Sequence, residues 1–335
     1  MPVLTHELGI DLGTKNTVVI EGNQVLIDEP TVTAILADEQ KMVEWGQAAQ
    51  DMEGRVPESI EIVRPLNHGV IAEYEITEKL LAIIVKRVSG SMRFFRPKIM
   101  ITVPYGVTSV ESRAVHEAGL GAGSREVYLI HQPLAAALGV DLPIGSPAGN
   151  MILSLGGGTI QAAVLAMNNI IRAATSRTGG MMFDEAVILY IKKKYGIIIG
   201  LPTAEQLKIR IGSAIPTDQQ QIMEIQGQDQ VSGLPKPLTL TTDDIFDALR
   251  EPLQEVVNVC KSVLEKTPPE LISDIIDRGV ALCGGGSMLP GLDKFLTKSL
   301  GIPAYLVDNP TTCTAEGAYR AMNMREVLKR SLLMG

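Results

Sequence analysis

Two stretches of the chain share one pattern of apolar and polar positions. Residues 8–14 and 153–159 are each an apolar strand that runs into glycine and then Thr, and the apolar pattern resumes at residues 18–20 and 162–165. Each stretch predicts a β-hairpin whose glycine turn exposes backbone N–H groups, and such turns bind anions. Because the copies lie about half a chain apart, they predict two similar α/β domains that face each other.

A third glycine cluster, residues 284–287, follows the apolar run 280–283 and precedes a predicted helix around residues 292–300. This spacing predicts a strand-to-helix turn that a ligand can approach closely. A single glycine turn is more often a tight bend than a ligand site. Three such turns together favour a nucleotide site, in which the two hairpins hold the phosphate chain and the third turn lies beneath the base.

The rest of the chain alternates between short apolar runs and stretches with helical periodicity, which is typical of an α/β protein. Predicted strands occupy residues 24–27, 31–36, 99–104 and 127–130, and predicted helices occupy residues 75–88, 109–122, 134–140, 184–195, 204–212 and 243–264, with the last helix within 308–329. The polar residues 38–62 predict a small insertion that contains a short helix. Residues 221–240 predict an antiparallel ribbon with turns at Gly227 and at residues 233–235.

Composition narrows the class of protein. Of the 335 residues, 45% are hydrophobic and 20% are charged, which suits a soluble α/β protein with two sizeable cores. No apolar run reaches the roughly 20 residues that span a bilayer, and the N-terminus lacks a cationic segment followed by an apolar one, so we expect a cytoplasmic protein. The net charge of −8 argues against general nucleic-acid binding, and the three cysteines lack metal-ligand spacing, which predicts buried, reduced thiols.

One segment differs from its surroundings. Residues 86–98 carry five cations and no acid, together with two of the five Phe residues of the chain. Adjacent aromatic side chains between arginines suit insertion at an anionic membrane surface, where each cation contributes about 1 kcal/mol. The candidate membrane residues are Met92, Arg93, Phe94, Phe95 and Arg96. The alternative is a loop that folds its Phe pair into the core.

Polar residues accompany the first predicted phosphate turn. Asp11 ends the first strand, where its carboxylate either holds a metal-bound water beside phosphates or caps the Gly13 turn. Thr14, Asn16 and Thr17 supply further polar groups on the same hairpin, which favours the metal site. Asp11 is therefore the predicted metal residue.

Four other polar residues leave two interpretations open. Lys15 either contacts phosphate or is solvated. Glu205 and Lys208 share one face of a predicted helix, so they either hold a ribose edge or belong to solvated ion pairs. Gln132 follows a predicted strand at the cleft, where it can position a water, although alone it would be an ordinary helix start.

A set of short motifs runs along nearly the whole chain. The motifs are Gly9-Ile10-Asp11-Leu12-Gly13-Thr14 with Asn16-Thr17, Arg64-Pro65 with Gly69-Val70-Ile71-Ala72, Val103-Pro104, Pro133 with Ala135-Ala136-Ala137, Gly156-Gly157-Gly158-Thr159, Gly179-Gly180 with Phe183-Asp184-Glu185, Thr203-Ala204-Glu205 with Lys208, Gly212-Ser213-Ala214, Pro268-Pro269-Glu270-Leu271 and Gly284-Gly285-Gly286. Together they resemble the superfamily of actin, heat-shock chaperones and sugar kinases, and specifically the bacterial actins of the MreB family.

The resemblance implies an actin-like α/β fold of ribonuclease H type, in which duplicated domains form four subdomains around a nucleotide cleft. The implied boundaries are residues 1–33, 63–141 and 313–335 for subdomain IA, 34–62 for IB, 142–181 and 243–312 for IIA, and 182–242 for IIB. The resemblance also implies ATP and Mg²⁺ in the cleft and head-to-tail assembly into paired protofilaments at the inner face of the cell membrane. Its implied partners are membrane proteins of the cell-wall elongation complex.

The motifs carry the family's site onto this chain residue by residue. The implied nucleotide-binding residues are Asp11, Gly13, Thr14, Lys15, Asn16, Gly156, Gly157, Gly158, Thr159, Gly179, Gly180, Glu205, Lys208, Gly284, Gly285, Gly286 and Ser287. In the family a hydrophobic loop of the first subdomain touches lipid, and the Phe pair falls at that place.

The chain departs from the family pattern where the chemistry takes place. The family usually has Asp at Ser154, Glu at Gln132, His131 and Gln161, and Asp at Met181. A carboxylate can deprotonate a water, whereas Ser and Gln only form hydrogen bonds to it, and loss of a general base costs about 10²–10⁴ in rate. We therefore expect Gln132 and Ser154 to be weakened catalytic positions, with ATP binding retained and hydrolysis slow.

Three alternatives follow from the same superfamily. A small-molecule kinase needs a catalytic Asp aimed at an acceptor hydroxyl, and no acid occurs from Ser154 onward in that motif. A chaperone would need a substrate-binding domain, and the chain given ends at Gly335. A filament protein for motility or organelle positioning has the same sequence signature as one for cell shape, and the weakened site makes co-assembly with a paralogous subunit an open alternative.

Overall fold

The computed structural model of the protein describes residues 6–89 and 96–333. The elements of the first part of the chain are β1 (Glu7–Leu12), β2 (Asn16–Glu21), β3 (Gln24–Pro30), β4 (Thr33–Leu36), β5 (Lys41–Trp45), α1 (Gln47–Asp51), β6 (Ile60–Val63), β7 (Leu66–Asn67), β8 (Val70–Ile71), α2 (Tyr74–Ser89), β9 (Lys98–Val103), α3 (Ser109–Gly121), β10 (Glu126–His131) and α4 (Gln132–Gly139).

The second part repeats this alternation of strands and helices. Its elements are β11 (Asn150–Leu155), β12 (Ile160–Ala166), β13 (Asn169–Ser176), α5 (Gly180–Tyr195), β14 (Ile197–Ile198), α6 (Leu201–Ile211), β15 (Ile222–Asp229), β16 (Pro235–Thr241), α7 (Thr242–Leu264), α8 (Pro269–Arg278), β17 (Val280–Cys283), α9 (Leu292–Leu300), β18 (Ala304–Leu306), α10 (Cys313–Asn323), α11 (Arg325–Leu328) and β19 (Leu332–Leu333).

The two large sheets have the same topology, which confirms the predicted duplication. One sheet has the order β19-β10-β9-β1-β2-β3 and the other has the order β13-β12-β11-β17-β18. In each sheet three successive strands pair antiparallel, and the first of them also pairs parallel with a later strand, β9 in one sheet and β17 in the other. Both predicted phosphate hairpins, β1–β2 and β11–β12, therefore occupy equivalent places in their sheets.

Two small sheets extend from the large ones. Strands β5, β4 and β6 form one of them, beside α1, and correspond to the insertion predicted from residues 38–62. Strands β14, β15 and β16 form the other. Within the described residues the α/β fold thus has two large sheets, two three-stranded sheets and the two-stranded sheet of β7 and β8.

Helices α4 and α10 join the two halves. One hydrophobic cluster contains side chains from both large sheets together with those of α4 and α10. The two helices touch at glycines, because a Cβ on Gly139 would meet the Cys313 carbonyl oxygen and a Cβ on Gly317 would meet that of Ala135. Since backbone carbonyls cannot yield as flexible side chains do, this crossing requires glycine on both helices.

Gly227 does not form a turn, contrary to the sequence prediction. It lies inside β15 and pairs with Lys236 of β16, and the turn of this hairpin lies around Gly233 alone. A Cβ at residue 227 would meet the Ile197 side chain and would lie 3.0 Å from the Ile198 carbonyl oxygen. Glycine is therefore required by the close approach of β14, and no local pattern signals that neighbour.

Four of the five candidate membrane residues lie outside the described residues, namely Met92, Arg93, Phe94 and Phe95. At the edges of the predicted membrane segment, Arg96 is exposed, whereas Lys98 forms an ion pair with Glu126 at 3.0 Å. The guanidinium of Arg87 lies 5.5 Å from the centre of the Trp45 ring. Two of the five cations thus have partners in the fold, and the membrane assignment stays a prediction.

Two findings concern membrane spans and cysteines. Among the described residues, no helix combines the length and the apolar character needed to cross a membrane. All three cysteines are buried and free, as predicted. The fold brings Cys283 and Cys313 into contact, and this contact together with burial raises the pKa of the Cys283 thiol.

Asp244 fixes the start of α7. Its carboxylate accepts hydrogen bonds from the backbone and side chain of Thr241, both at 3.0 Å, which completes a capping box. It also accepts bonds from Lys194 at 2.8 Å and Tyr195 at 2.6 Å. Burial acts to raise the pKa of Asp244, but these donors outweigh it and lower the pKa to about 2.

We expect Asp244→Ala to lower the free energy of unfolding by about 2–3 kcal/mol at about pH 7, because a cap and an ion pair are lost together. The folded-state pKa lies below the unfolded one, so the contribution of Asp244 is complete above about pH 4 and is lost as the pH falls through about 2. Urea unfolding across this range measures the effect. Asp243→Ala, an exposed neighbour, is the control and should change stability by less than about 0.5 kcal/mol.

Candidate nucleotide site

The two phosphate hairpins meet tip to tip. A Cβ on Gly158 would lie 2.8 Å from the Thr14 Cβ atom and closer still to Thr14 Oγ1, and a Cβ on Gly157 would meet the Lys15 side chain. Thr14 is itself held in place, since its Oγ1 accepts a hydrogen bond of 2.8 Å from the Gly69 backbone N–H. Glycine is required here by the close approach of two backbones. A cavity of about 310 Å³ opens between the hairpins.

The third glycine cluster forms another wall of this cavity. Gly284 follows β17 with φ of +84°, a conformation that favours glycine, and its N–H donates to the Pro310 carbonyl at 2.6 Å. Gly284 and Gly286 both pack on Leu155 of the second hairpin, whereas a Cβ on Gly285 would meet nothing within 4 Å. The predicted strand-to-helix turn is thus present, and its open side faces the cavity.

Ion pairs close the rim. Lys15 of the first hairpin pairs with Glu205 of α6 at 2.8 Å. Lys208 pairs with Asp184 of α5 at 2.6 Å and donates to the Gly180 carbonyl at 3.0 Å. Burial raises the pKa of Asp184, although the Lys208 ammonium opposes this shift. Glu205 and Lys208 therefore do not pair with each other. Each lines the cavity while it is bonded to a residue of another element.

Asp11 lies at the floor of the cavity. Its Oδ1 accepts hydrogen bonds from the Thr102 hydroxyl and, at 3.2 Å, from Gln132 Nε2. Burial raises the pKa of Asp11, and these two hydrogen bonds oppose the shift. Among the residues that the structure describes, no group of three or more His, Cys, Asp or Glu side chains can hold a metal ion. A cation here would rely on this one carboxylate and on ligands from a bound anion.

The glutamines that replace family acids form a direct bond across the cleft. Gln161 of β12 donates from Nε2 to Gln132 Oε1 at 2.5 Å and to Thr159 Oγ1 at 3.2 Å, and its Oε1 accepts from the Tyr105 backbone N–H at 2.8 Å. Gln161 is only 1% exposed. Tyr105 was not predicted as a site residue, because its hydrogen bond to Gln161 comes from the main chain and carries no sequence signal.

The other three departures take different places. Ser154 and Met181 line the cavity, so a hydroxyl and a thioether stand where the family resemblance implies carboxylates. His131 lies within 3.2 Å of the Pro104 carbonyl through Nδ1 and stacks at a tilt against Tyr105. Burial lowers the pKa of His131, which keeps the ring neutral near pH 7.

The structure brings most of the predicted site residues together. Those that line the cavity are Asp11, Gly13, Thr14, Lys15, Asn16, Gln132, Ser154, Gly156, Gly157, Gly158, Thr159, Gly180, Glu205, Lys208, Gly284, Gly285 and Gly286. Gly179 and Ser287 do not: Gly179 packs behind the second hairpin against Gly157 and Thr159, and Ser287 donates to the Cys283 carbonyl at 2.5 Å. Thr311 and Thr314 line the cavity without having been predicted.

Known proteins with similar sequences share one family. The family model described as MreB/Mbl protein matches residues 5–330. The cell shape-determining protein MreB of Escherichia coli (strain K12) is 41% identical over 328 residues, which cover 96% of this chain and 94% of that protein. The cell shape-determining protein Mbl of Bacillus subtilis (strain 168) is 39% identical over 332 residues, which cover 98% and 100%.

Solved structures agree with the sequence comparison. MreB5 of Spiroplasma citri bound to ADP matches with a TM-score of 0.92 and 30% identity over 98% of each chain, and the same protein bound to AMPPNP matches equally well. The MamK double helical filament matches with a TM-score of 0.81 at 19% identity, over 95% of this chain and 98% of that one, which shows a shared fold. On this evidence the chain belongs to the MreB/Mbl family of actin-like proteins.

Proposed function

We propose that this protein binds ATP in the cavity between the two hairpins and polymerises into filaments that act in cell shape. The observation that carries the proposal is the meeting of two equivalent glycine hairpins, with Gly157 and Gly158 against Lys15 and Thr14, around one cavity. Turn N–H groups and the adjacent Lys15 suit a phosphate chain. The relatives crystallised with ADP and AMPPNP support a nucleotide as the ligand.

The donor set fits a magnesium ion that is held mainly by the nucleotide. Mg²⁺ keeps several waters and commonly takes one or two carboxylates together with substrate phosphates. Asp11 supplies one carboxylate at the floor, and both hydrogen bonds described for it fall on Oδ1. Asp11 would therefore hold the hydrated ion through its other oxygen. The ion would neutralise phosphate charge, while the protein groups orient the nucleotide.

Hydrolysis is expected to be slow. Ser154 and Gln132 line the cavity where a general base would stand, and neither takes up a proton near pH 7. Asp11, which accepts from Gln132, is engaged by two donors, and the buried Cys283 thiol, which lies beside Ser154 on the next strand, has a raised pKa. The lack of these carboxylates should weaken ATP binding less than it slows hydrolysis, because turn amides hold phosphates without them.

Filament assembly and membrane attachment complete the proposal. Head-to-tail self-association follows from membership of the family and from the filament formed by MamK, which shares the fold. The segment around Phe94 and Phe95 would attach such a filament to an anionic membrane, with elongation-complex membrane proteins as partners in cell-wall growth. The absence of an acid at Ser154 disfavours a small-molecule kinase, which needs a base for its acceptor hydroxyl.

Electron microscopy of the purified protein with ATP, with and without anionic liposomes, tests the proposal. We expect paired filaments in the presence of ATP and filaments bound along the surface of anionic vesicles. Protein that stays monodisperse with ATP, or that phosphorylates a metabolite, would contradict the filament function. ATP turnover as fast as that of an ordinary family member would contradict only the expectation of slow hydrolysis.

The Phe pair separates lipid attachment from assembly. A Phe94→Ser/Phe95→Ser variant should still form filaments but should no longer sediment with anionic liposomes, because it lacks the two aromatic side chains proposed to insert. Neutral vesicles are the control for the charge contribution. Unchanged sedimentation of the variant would show that another segment attaches the filament.

A further inference from the structure

The two glutamines of the cleft form a chain of hydrogen bonds with fixed ends. One end is the Tyr105 backbone N–H, which can only donate, and the other is the Asp11 carboxylate, which accepts from Gln132. Between them, Gln161 accepts from Tyr105 and donates to Gln132. Because each amide has one oxygen and one NH₂ group, these ends force both amides to turn their nitrogen toward Asp11.

The direction of this hydrogen-bond chain determines how the Gln132 amide can bind a water. Its Nε2 donates to Asp11 at 3.2 Å, and its only acceptor atom, Oε1, takes the 2.5 Å bond from Gln161. A glutamine orients an attacking water by accepting a hydrogen bond from it, since that bond fixes the direction of the water O–H and turns a lone pair of the water oxygen toward its target. The amide oxygen has two lone pairs, so Gln161 does not fill it, but the bonds at both ends of the Gln132 amide fix where that oxygen points, and the burial of both side chains keeps them in this arrangement.

Gln161 uses both ends of its own amide. Its oxygen accepts from Tyr105, and its nitrogen donates to both Gln132 and Thr159. An ionised glutamate at this position, as the family resemblance gives, could still accept from Tyr105 but could donate nothing to Gln132. The bond between residues 132 and 161 thus depends on the amide at residue 161.

We propose that Gln161 is a positioning residue that holds Gln132 in an orientation unsuited to hydrolysis, so that the protein retains ATP after binding it. This inference rests on the proposed ATP binding and deepens it. Gln161 reaches from the second large sheet to residues of the first half, so the same bond also joins the two sides of the cleft. Loss of the Gln161 amide removes this constraint, so that the Gln132 amide can turn its oxygen toward a water.

The test is phosphate release per bound ATP in Gln161→Met and Gln161→Glu. Methionine has a similar length and no donor, and glutamate retains the bond from Tyr105 but cannot donate. Each variant is expected to release phosphate about tenfold faster than the unchanged protein, with ATP affinity kept within about twofold. A merely structural role predicts the opposite, because deletion of a buried polar group would then lower activity or stability.

Gln132→Ala in the Gln161→Met background decides whether the gain passes through Gln132. The rise should vanish in the double variant, and a rise that survives would overturn the proposal. Thr175→Val is the matched control, because it removes a different bond across the same cleft, from Thr175 to the Tyr105 carbonyl at 2.8 Å. An equal rise in that control would assign the effect to general loosening of the cleft and would likewise overturn the proposal.

ATP binding and filament formation are measured on the same samples, with circular dichroism as the check on folding. If Gln161→Met does not fold, Gln161→Glu decides through its own double variant with Gln132→Ala, because a gain due to the new carboxylate itself would survive the loss of Gln132 and would overturn the proposal. Unchanged phosphate release in folded variants that bind ATP overturns the role of Gln161 and leaves the proposed function intact. An unsubstituted protein that does not bind ATP overturns the proposed function itself, and the two failures are thereby distinguished.

Discussion

A Ser154→Asp/Gln132→Glu variant is expected to release phosphate from ATP about 10²-fold faster than the unchanged protein. The two substitutions supply the carboxylates that a general base and a cation-bound water require, and a general base contributes about 10²–10⁴ in rate. Both positions already line the cavity, so the new carboxylates would face it. Single-turnover phosphate release at saturating ATP measures the chemical step apart from binding.

The gain should depend on Mg²⁺. Asp11 is already buried at the floor, and two further carboxylates beside it repel one another unless a cation offsets their charge. The matched control is the single variant Ser154→Asn, in which Gln132 is unchanged. It adds similar bulk at residue 154 without charge, so it should give no gain. A folded, ATP-binding double variant with the original rate would show that hydrolysis is limited elsewhere, for example by subunit contacts in the filament.

The parts of the fold that the sequence predicted are those with local causes. Residues 8–14 and 153–159 each combine an apolar run with a glycine turn, and both form the expected hairpins. The long helix predicted at residues 243–264 starts within one residue of that position, because Thr241 and Asp244 supply a capping box. These local signals predict the structure correctly because tertiary packing favours the same conformations.

The parts that it did not predict depend on distant neighbours. Gln132 and Gln161 are 29 residues apart, and Lys15 and Glu205 are 190 apart, so neither pair leaves a mark in either local sequence. Gly227 shows the same limit, since one glycine in a polar stretch reads as a turn whether or not another strand packs against it. The site residues were found through glycine turns and family motifs, whereas their bonding required the assembled cleft.

Gly158→Ala is expected to weaken ATP binding about 100-fold. The new methyl group would lie 2.8 Å from Thr14 Cβ and closer to Thr14 Oγ1, so the two hairpins must separate for it to fit. Thr14 is only 5% exposed and its Oγ1 holds the Gly69 N–H at 2.8 Å, so its side chain cannot turn away freely. Overpacking of this kind costs about 3 kcal/mol, and every 1.4 kcal/mol is tenfold in affinity.

Gly156→Ala in the same hairpin separates this cause from a general effect of lost glycine. Its Cβ would lie 3.5 Å from the Thr159 carbonyl oxygen, an ordinary contact, so the hairpins can stay in place and ATP affinity should change by less than about tenfold. Titration with a fluorescent ATP analogue compares the two variants, and urea unfolding checks that both are folded. The proposed site needs the two hairpins in contact, so equal loss in both variants would mean that this contact is not what binds the nucleotide.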